Sequence, residues 1–331
     1  MRRLGCYGVL TQHQVSLTTR NRGNIRCADN NKVVSQPHRG FKMKNVGYQI
    51  VRDYVEVLKL RESSLITFIG VCSAIIAGGG HPSLDKLLLV LITILLVSAG
   101  VNGLTNYLDR HVDARMERTR HRTLPSKRIY PAEKVLPLTI SLVIIGLILA
   151  WQLHPFSFLA GLVGTVAAIV WRKRWTCIFP QGMLASCAPV LMGWFAIEST
   201  FSWQLLLLCL LIAIWLPLHL WSVMITHRED YLGAGISFFP VSRKVSEVVK
   251  VLLALSLLLY AASIAIYFAG NFTWLYLVLA NLLGGVLIYT SLRLVISTSS
   301  RESWRLYKLS AFPYLGLIFL AMCLGSWLLN G

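Results

Sequence analysis

Apolar positions in this chain gather into nine runs, at about 64–80, 87–107, 135–153, 156–171, 179–197, 203–225, 249–269, 273–295 and 309–329. Each is near the ~20 residues that carry a helix across a bilayer, the fourth being the shortest. The polar positions between them fall into two kinds. One is rich in charge: the segment before the first run, then 108–134, Arg172-Lys173-Arg174, 226–248 and 293–308. The other is nearly bare: 81–86, His154-Pro155, 198–202 and Gly270 to Phe272. The two kinds alternate along the whole chain. Basic loops stay on the inner side of a membrane. The pattern therefore predicts an all-α polytopic membrane protein of about nine transmembrane helices, with the amino terminus inside and the carboxyl terminus outside.

Ahead of the first run, residues 43–63 repeat apolar positions at helical spacing. Ile50, Val51, Tyr54, Val55 and Leu58 share one face. This predicts an amphipathic helix lying in the interface, although a lead-in packed on protein gives the same pattern. Residues 1–42 form a polar tail with eight Lys or Arg and one acid, Asp29. It has no apolar core segment, so it is not a secretory signal. A disordered tail, sequence upstream of a start at Met43, and an organelle transit peptide all fit its composition. The remaining stretch, 64–331, is read as the nine-span domain.

Composition narrows the class. Of 331 residues, 55% are hydrophobic and 14% charged, which excludes an ordinary soluble domain. The net charge of +18 lies outside the apolar runs. It suits an anionic leaflet or an anionic substrate better than nucleic acid. The seven cysteines (Cys6, Cys27, Cys72, Cys177, Cys187, Cys209, Cys323) show no C-x-x-C spacing. They read as small buried hydrophobes.

Candidate chemistry begins at the end of the second run, between Asn102 and Arg128. Asp109 and Asp113 are four residues apart, which sets both on one helix face, and Asn102 and Asn106 share that face. Arg118 and Arg122 follow at the same spacing, with Lys127 beyond them. Carboxylates of this kind hold Mg²⁺ together with substrate phosphates. Arginines grip the remaining phosphate oxygens. A basic loop whose acids merely balance it would look similar.

A second cluster ends the sixth run. His219, His227 and Asp230 are spaced eight and three apart, so a helix sets them on one side, with Arg228 and Tyr231 adjacent. Ionisable groups inside or just below a span are functional by default. A hydrogen-bonded structural role for His219 is the competing reading. Gly233, Gly235 and Pro240 predict a tight return that closes over a ligand.

At these residues the chain resembles the UbiA-type intramembrane prenyltransferases, and within them the branch that makes heme O. DRHVDARMERTRHRTLP, from Asp109 to Pro125, is similar to the first family motif. PLHLW, from Pro217 to Trp221, and DYLGAGISFFP, from Asp230 to Pro240, are similar to the second. Departures are Thr105 in place of an asparagine, His111 for an acid, Thr123 for a proline, and Ser237-Phe238-Phe239 in the acceptor-side loop.

The resemblance implies a helical bundle around a cavity open to lipid. Farnesyl diphosphate and heme b are its implied substrates, with heme b a substrate rather than a cofactor and Mg²⁺ the implied metal. Asn102, Asn106, Asp109 and Asp113 would form the metal side. Arg118, Arg122, Lys127 and Arg228 would hold diphosphate, and His219, His227 and Tyr231 the acceptor. Asp230 would join Asp109 and Asp113 as a catalytic acid. A bacterial-type plasma membrane is the expected location, or the mitochondrial inner membrane if residues 1–42 are a transit peptide. A heme A synthase or oxidase assembly machinery would act downstream. A quinone-type or other aromatic prenyltransferase is the alternative within the family. A transporter is the alternative outside it.

Overall fold

A computed structural model describes residues 46–170, 181–270 and 272–330. The polar tail, Arg172-Lys173-Arg174, Cys6, Cys27 and Cys177 lie outside them. The described residues form helices joined by loops and contain no strand. In order they form α1 (Val46–Leu58), α2 (Leu60–Ala77), α3 (Leu84–Asp113), α4 (Leu136–Leu153), α5 (Pro155–Val170), α6 (Gln181–Phe195) and α7 (Trp203–Thr226). These are followed by the short α8 (Arg228–Gly233), α9 (Val245–Ala269), α10 (Trp274–Ser297), α11 (Ser300–Leu309), a π-helical segment (Ser310–Gly316) and α12 (Leu317–Asn330).

Seven stretches are long and apolar enough to cross a membrane: Leu60–Ala77, Leu84–Asp113, Ala132–Leu153, Trp203–Thr226, Val245–Ala269, Trp274–Ser297 and Ser300–Leu328. The protein is an integral, multi-pass membrane protein. The fourth and fifth apolar runs appear as the shorter helices α5 and α6, on either side of residues 171–180.

Length places the chemistry. α3 has 30 residues. At about 1.5 Å per residue it measures roughly 45 Å, well beyond the ~30 Å of hydrocarbon. Its last turns, with Asp109 and Asp113, therefore continue past the apolar layer as ordered helix.

The amphipathic helix expected over 43–63 is α1, which is shorter. It ends at Lys59, whose left-handed backbone (φ 49°, ψ 53°) separates α1 from α2, so the first span starts at Leu60 rather than 64.

Small residues let helices approach closely, as they must where lipid offers no hydrophobic drive for association. A Cβ on Gly193 of α6 would strike the carbonyl of Gly70 on α2. Ser73 of α2 donates to the Val190 carbonyl at 2.8 Å. Gly100 and Gly103 of α3 face Thr139 of α4 in the same way. In the second half, polar bonds stitch the apolar core: Tyr276 donates to the Ser263 carbonyl at 2.7 Å, and the Ser263 and Tyr314 hydroxyls meet at 2.8 Å.

Two loops pack together at one end of the helices. Met116 packs with Met224, Ala234, Ile236 and Val241, joining the loop after α3 to the one after α8. Leu124 and Ile129 pack on Val57 and Val135, joining the first loop to α1.

Candidate active site

The helical face read from Asn102 to Asp113 is present. Asp109 and Asp113 are each 7% exposed. Asp113 accepts from Arg122 Nη1 at 3.3 Å. The two amides are oriented from behind: Asn102 donates to Ser63 Oγ at 2.8 Å, and Asn106 donates to the Val57 carbonyl at 2.6 Å. Holding each Nδ2 against α1 or α2 leaves the carboxamide oxygen as the end that can serve as a ligand.

The second cluster meets the first through Asp230. Its Oδ1 accepts from the Glu117 backbone N–H at 2.6 Å, and its Oδ2 from that of Arg118 at 3.3 Å. Arg118 Nη2 donates to the Tyr231 hydroxyl at 3.4 Å. Asp230 thus bridges two loops that are more than a hundred residues apart in sequence. Arg228 is turned to its own loop, donating from Nε to the Val241 carbonyl at 3.1 Å and lying 3.4 Å from Glu229. Lys127 occupies a left-handed turn (φ 60°).

His219 lies inside α7 between two rings. Trp215 stacks on it at 4.8 Å between centroids and 17° between planes, and Tyr307 at 4.4 Å and 28°. Its Nδ1 is 3.0 Å from the Ser310 hydroxyl. That hydroxyl also lies 3.0 Å from the Tyr307 carbonyl, to which it donates.

His227 sits just below the span, edge-on to Trp304 at 5.7 Å. Burial lowers its pKa, the Arg118 guanidinium lowers it further, and Asp230 opposes both.

Three cavities surround these groups. One of ≈ 440 Å³ is lined by Asn106, Asp113, His121, Arg122, Lys59 and Arg61, among others. A second of ≈ 750 Å³ opens beside Arg115, Arg120, His227, Arg228 and Asp230. A third, mostly apolar and of ≈ 380 Å³, runs between α2, α3, α5, α6 and α7, with Asn102 and Thr105 on one wall and Trp215 and His219 on another. It falls within the ~300–1,000 Å³ usual for small-molecule sites. The third cavity brings together groups from both sequence clusters. The first and third share Lys59 and Glu62.

Lys59 escaped the sequence reading because its left-handed break depends on how α1 docks. Trp215 and Ser310 escaped because rings and hydroxyls in an apolar run carry no spacing signal of their own, and Tyr307 because it falls in the charge-rich stretch 293–308.

The fit to a divalent metal and an anion rests on donor chemistry. Among the described residues no three His, Cys, Asp or Glu side chains converge as a closed metal shell. Two buried carboxylates with amide oxygens nearby are instead the open set that Mg²⁺ shares with phosphate. Among the described residues, Arg118 Nε and Thr123 Oγ1 on the loop after α3, and Trp221 Nε1 and His227 Nε2 at the end of α7, are buried without a hydrogen bond, as are Thr93 Oγ1 and Thr273 Oγ1 elsewhere; such atoms are costly unless a ligand or water meets them.

The sequence pattern of the UbiA prenyltransferase family matches residues 64–328. The chain belongs to the UbiA prenyltransferase family. A relative from Desulforudis audaxviator, named protoheme IX farnesyltransferase, is 33% identical over 283 residues, covering 83% of this chain and 88% of its own length. Among solved structures, a digeranylgeranylglyceryl phosphate synthase superposes with a TM-score of 0.69 at 17% identity, over 84% of this chain and 99% of that one. A UbiA homolog from Archaeoglobus fulgidus, bound to DMAPP and Mg²⁺, superposes with a TM-score of 0.61 at 17% identity, over 83% of this chain and 98% of that one. These two likenesses establish a common fold with this UbiA-family member.

Proposed function

We propose that this UbiA-family prenyltransferase moves a farnesyl group from farnesyl diphosphate to a vinyl group of heme b, giving heme O and diphosphate. The observation that carries the reading is kinship over 83% of the chain with a protein named protoheme IX farnesyltransferase. An apolar cavity with groups of both polar clusters on its walls supports it. In this reaction the C1–O bond to diphosphate breaks. The vinyl carbon forms a bond to C1, water adds at the neighbouring carbon, and one proton leaves.

Asp109 and Asp113, with the amide oxygens of Asn102 and Asn106, are the proposed metal side. A divalent metal, taken as Mg²⁺, supplies charge neutralisation to the departing diphosphate when bound. Arg122 and Arg118 hold the diphosphate oxygens, joined by Lys59 from the α1–α2 break. Lys127 and Arg228 complete the basic rim. Asp230 acts as a positioning residue, because both of its oxygens are given to the backbone that carries Arg118. His219, His227 and Tyr231 face the acceptor side. The dry cavity protects the allylic cation from premature capture by water.

The account includes nine crossings, with α5 and α6 as the fourth and fifth, the amino terminus inside and the carboxyl terminus outside. Alternation of charged and bare loops supports that topology. We take residues 64–331 as the catalytic body behind an interfacial α1, in a bacterial-type plasma membrane, or in the mitochondrial inner membrane if residues 1–42 are a transit peptide.

Purified protein in lipid nanodiscs, given farnesyl diphosphate and Mg²⁺, tests the acceptor. Heme b should be converted to its hydroxyethylfarnesyl derivative, and 4-hydroxybenzoate left unmodified. Prenylation of the phenol alone would move the chain to the quinone-directed branch. Flux of substrate across vesicles with no diphosphate released would favour a transporter.

A further inference from the structure

The rings around His219 continue in both directions. From the inner loop they run His227, Trp304, Tyr307, His219, Trp215. Trp304 and Tyr307 stack at 4.9 Å and 23°, so the last four rings lie nearly parallel. Among the described residues no further ring stacks beyond Trp215. Its indole N–H is committed, donating to the Ser310 carbonyl at 2.5 Å. With that edge fixed and one face covered by His219, Trp215 can offer the cavity only its other face and its carbon edge. Trp215 is part of the cavity wall. Across that cavity, α5 and α6 contribute Gly161, Gly164, Ala168, Ala185 and Ala188, with Gly164 packed closely on Ala188, so that part of the wall carries no bulky side chain.

We propose that Trp215 is the stacking platform for the acceptor and the residue that selects a planar macrocycle over a single-ring phenol. This rests on the heme-directed reading above. Aromatic faces favour offset stacking on one another, and a ring whose orientation is fixed in advance loses little freedom when a ligand lies on it. A farnesyl chain has no plane to match, so the donor gains little from the indole. The stack behind Trp215 keeps it from turning, and Ser310 in the π-helical segment locks its rotation. The platform recognises the porphyrin plane and is indifferent to the iron, which separates it from any ligation by His219.

Binding of heme b and of iron-free protoporphyrin IX to nanodisc-embedded protein tests this, alongside the apparent KM for farnesyl diphosphate. Trp215→Leu should weaken both porphyrins by the same factor, roughly tenfold, with the donor KM unchanged. Trp215→Phe, which keeps a plane, should stay within about threefold of wild type. If the Leu variant does not insert, Trp215→Met, which has bulk and no plane, carries the same comparison. Three results would overturn the platform: both porphyrins bound by the variant as by wild type, a loss confined to the iron form, or an equal loss of donor binding. If the wild type itself binds neither porphyrin, the heme-directed reading fails and the platform with it.

Discussion

Asp113 lies 3.3 Å from Arg122, and Asp109 is one turn earlier on the same buried face. An amide at either position keeps the shape and removes the anionic oxygen that a hard cation needs. Asp109→Asn and Asp113→Asn should each lower kcat by about 10²-fold or more, with thermal stability in detergent near wild type. Diphosphate release at saturating substrates is the measurement, and near-normal turnover at limiting Mg²⁺ would contradict the assignment. His227 gives a pH test at the same scale. Burial and Arg118 hold its pKa below the usual 6.5, against the pull of Asp230. For a base so depressed, the unfolded chain takes up the proton first. Its contribution is therefore full above about pH 6.5 and is lost as pH falls below it. Thermal melting from pH 8 to 5 should show a decline that His227→Gln flattens, and identical slopes would exclude the effect. The aspartates were legible because two acids at helical spacing next to an apolar run are rare. Lys59 was not, since nothing in its neighbours fixes a left-handed backbone until α1 docks.

At the scale of elements, α1 and the loop after α3 behave as one piece. Arg128 donates to Asp53 at 2.6 Å and to Glu56 at 2.5 Å, and Glu56 accepts from the Thr123 backbone N–H at 3.0 Å. Burial tends to raise the pKa of Glu56, but its bonds to Arg128 and Thr123 outweigh that and lower it. Arg122, which reaches Asp113, is next to Thr123, so this lock sets where the diphosphate arm stands. Asp53→Asn with Glu56→Gln should raise the KM for farnesyl diphosphate by about tenfold, and leave heme affinity unchanged. Effects on heme affinity alone would remove α1 from the donor side. The amphipathic pattern of α1 was visible in the sequence, and the lock was not, because Arg128 read as one more basic residue among many. The final apolar run was read from 309. A separate helix, α11, precedes it from Ser300, where Ser299 caps the Glu302 N–H at 3.3 Å. Trp304 and Tyr307 were thus placed in a loop when they belong to the ring stack. Pro313 follows a kink at Ala311, whose backbone is non-helical (φ −68°, ψ −135°), and no hydropathy pattern reveals such a kink.

The whole molecule follows from where charge and apolar length alternate. Apolar runs identified a multi-pass helical protein, and all nine appear as helices or helical stretches among the described residues, seven of them of spanning length. What patterning could not supply was depth. α3 has 30 residues while α5 and α6 have 16 and 15. Nine crossings make a directional prediction. In spheroplasts of an expressing bacterium, a protease-accessible tag after Gly331 should be cleaved from outside, and one inserted beside His121 should be protected. Cleavage at both, or neither, would contradict the topology.

Mass spectrometry of the hemes extracted from cells that lack their own heme O synthesis tests the central claim most directly. Cells expressing this chain should accumulate heme O, and cells expressing Asp113→Asn should contain heme b alone. Heme b alone in cells where the wild-type protein is present in the membrane would contradict the account.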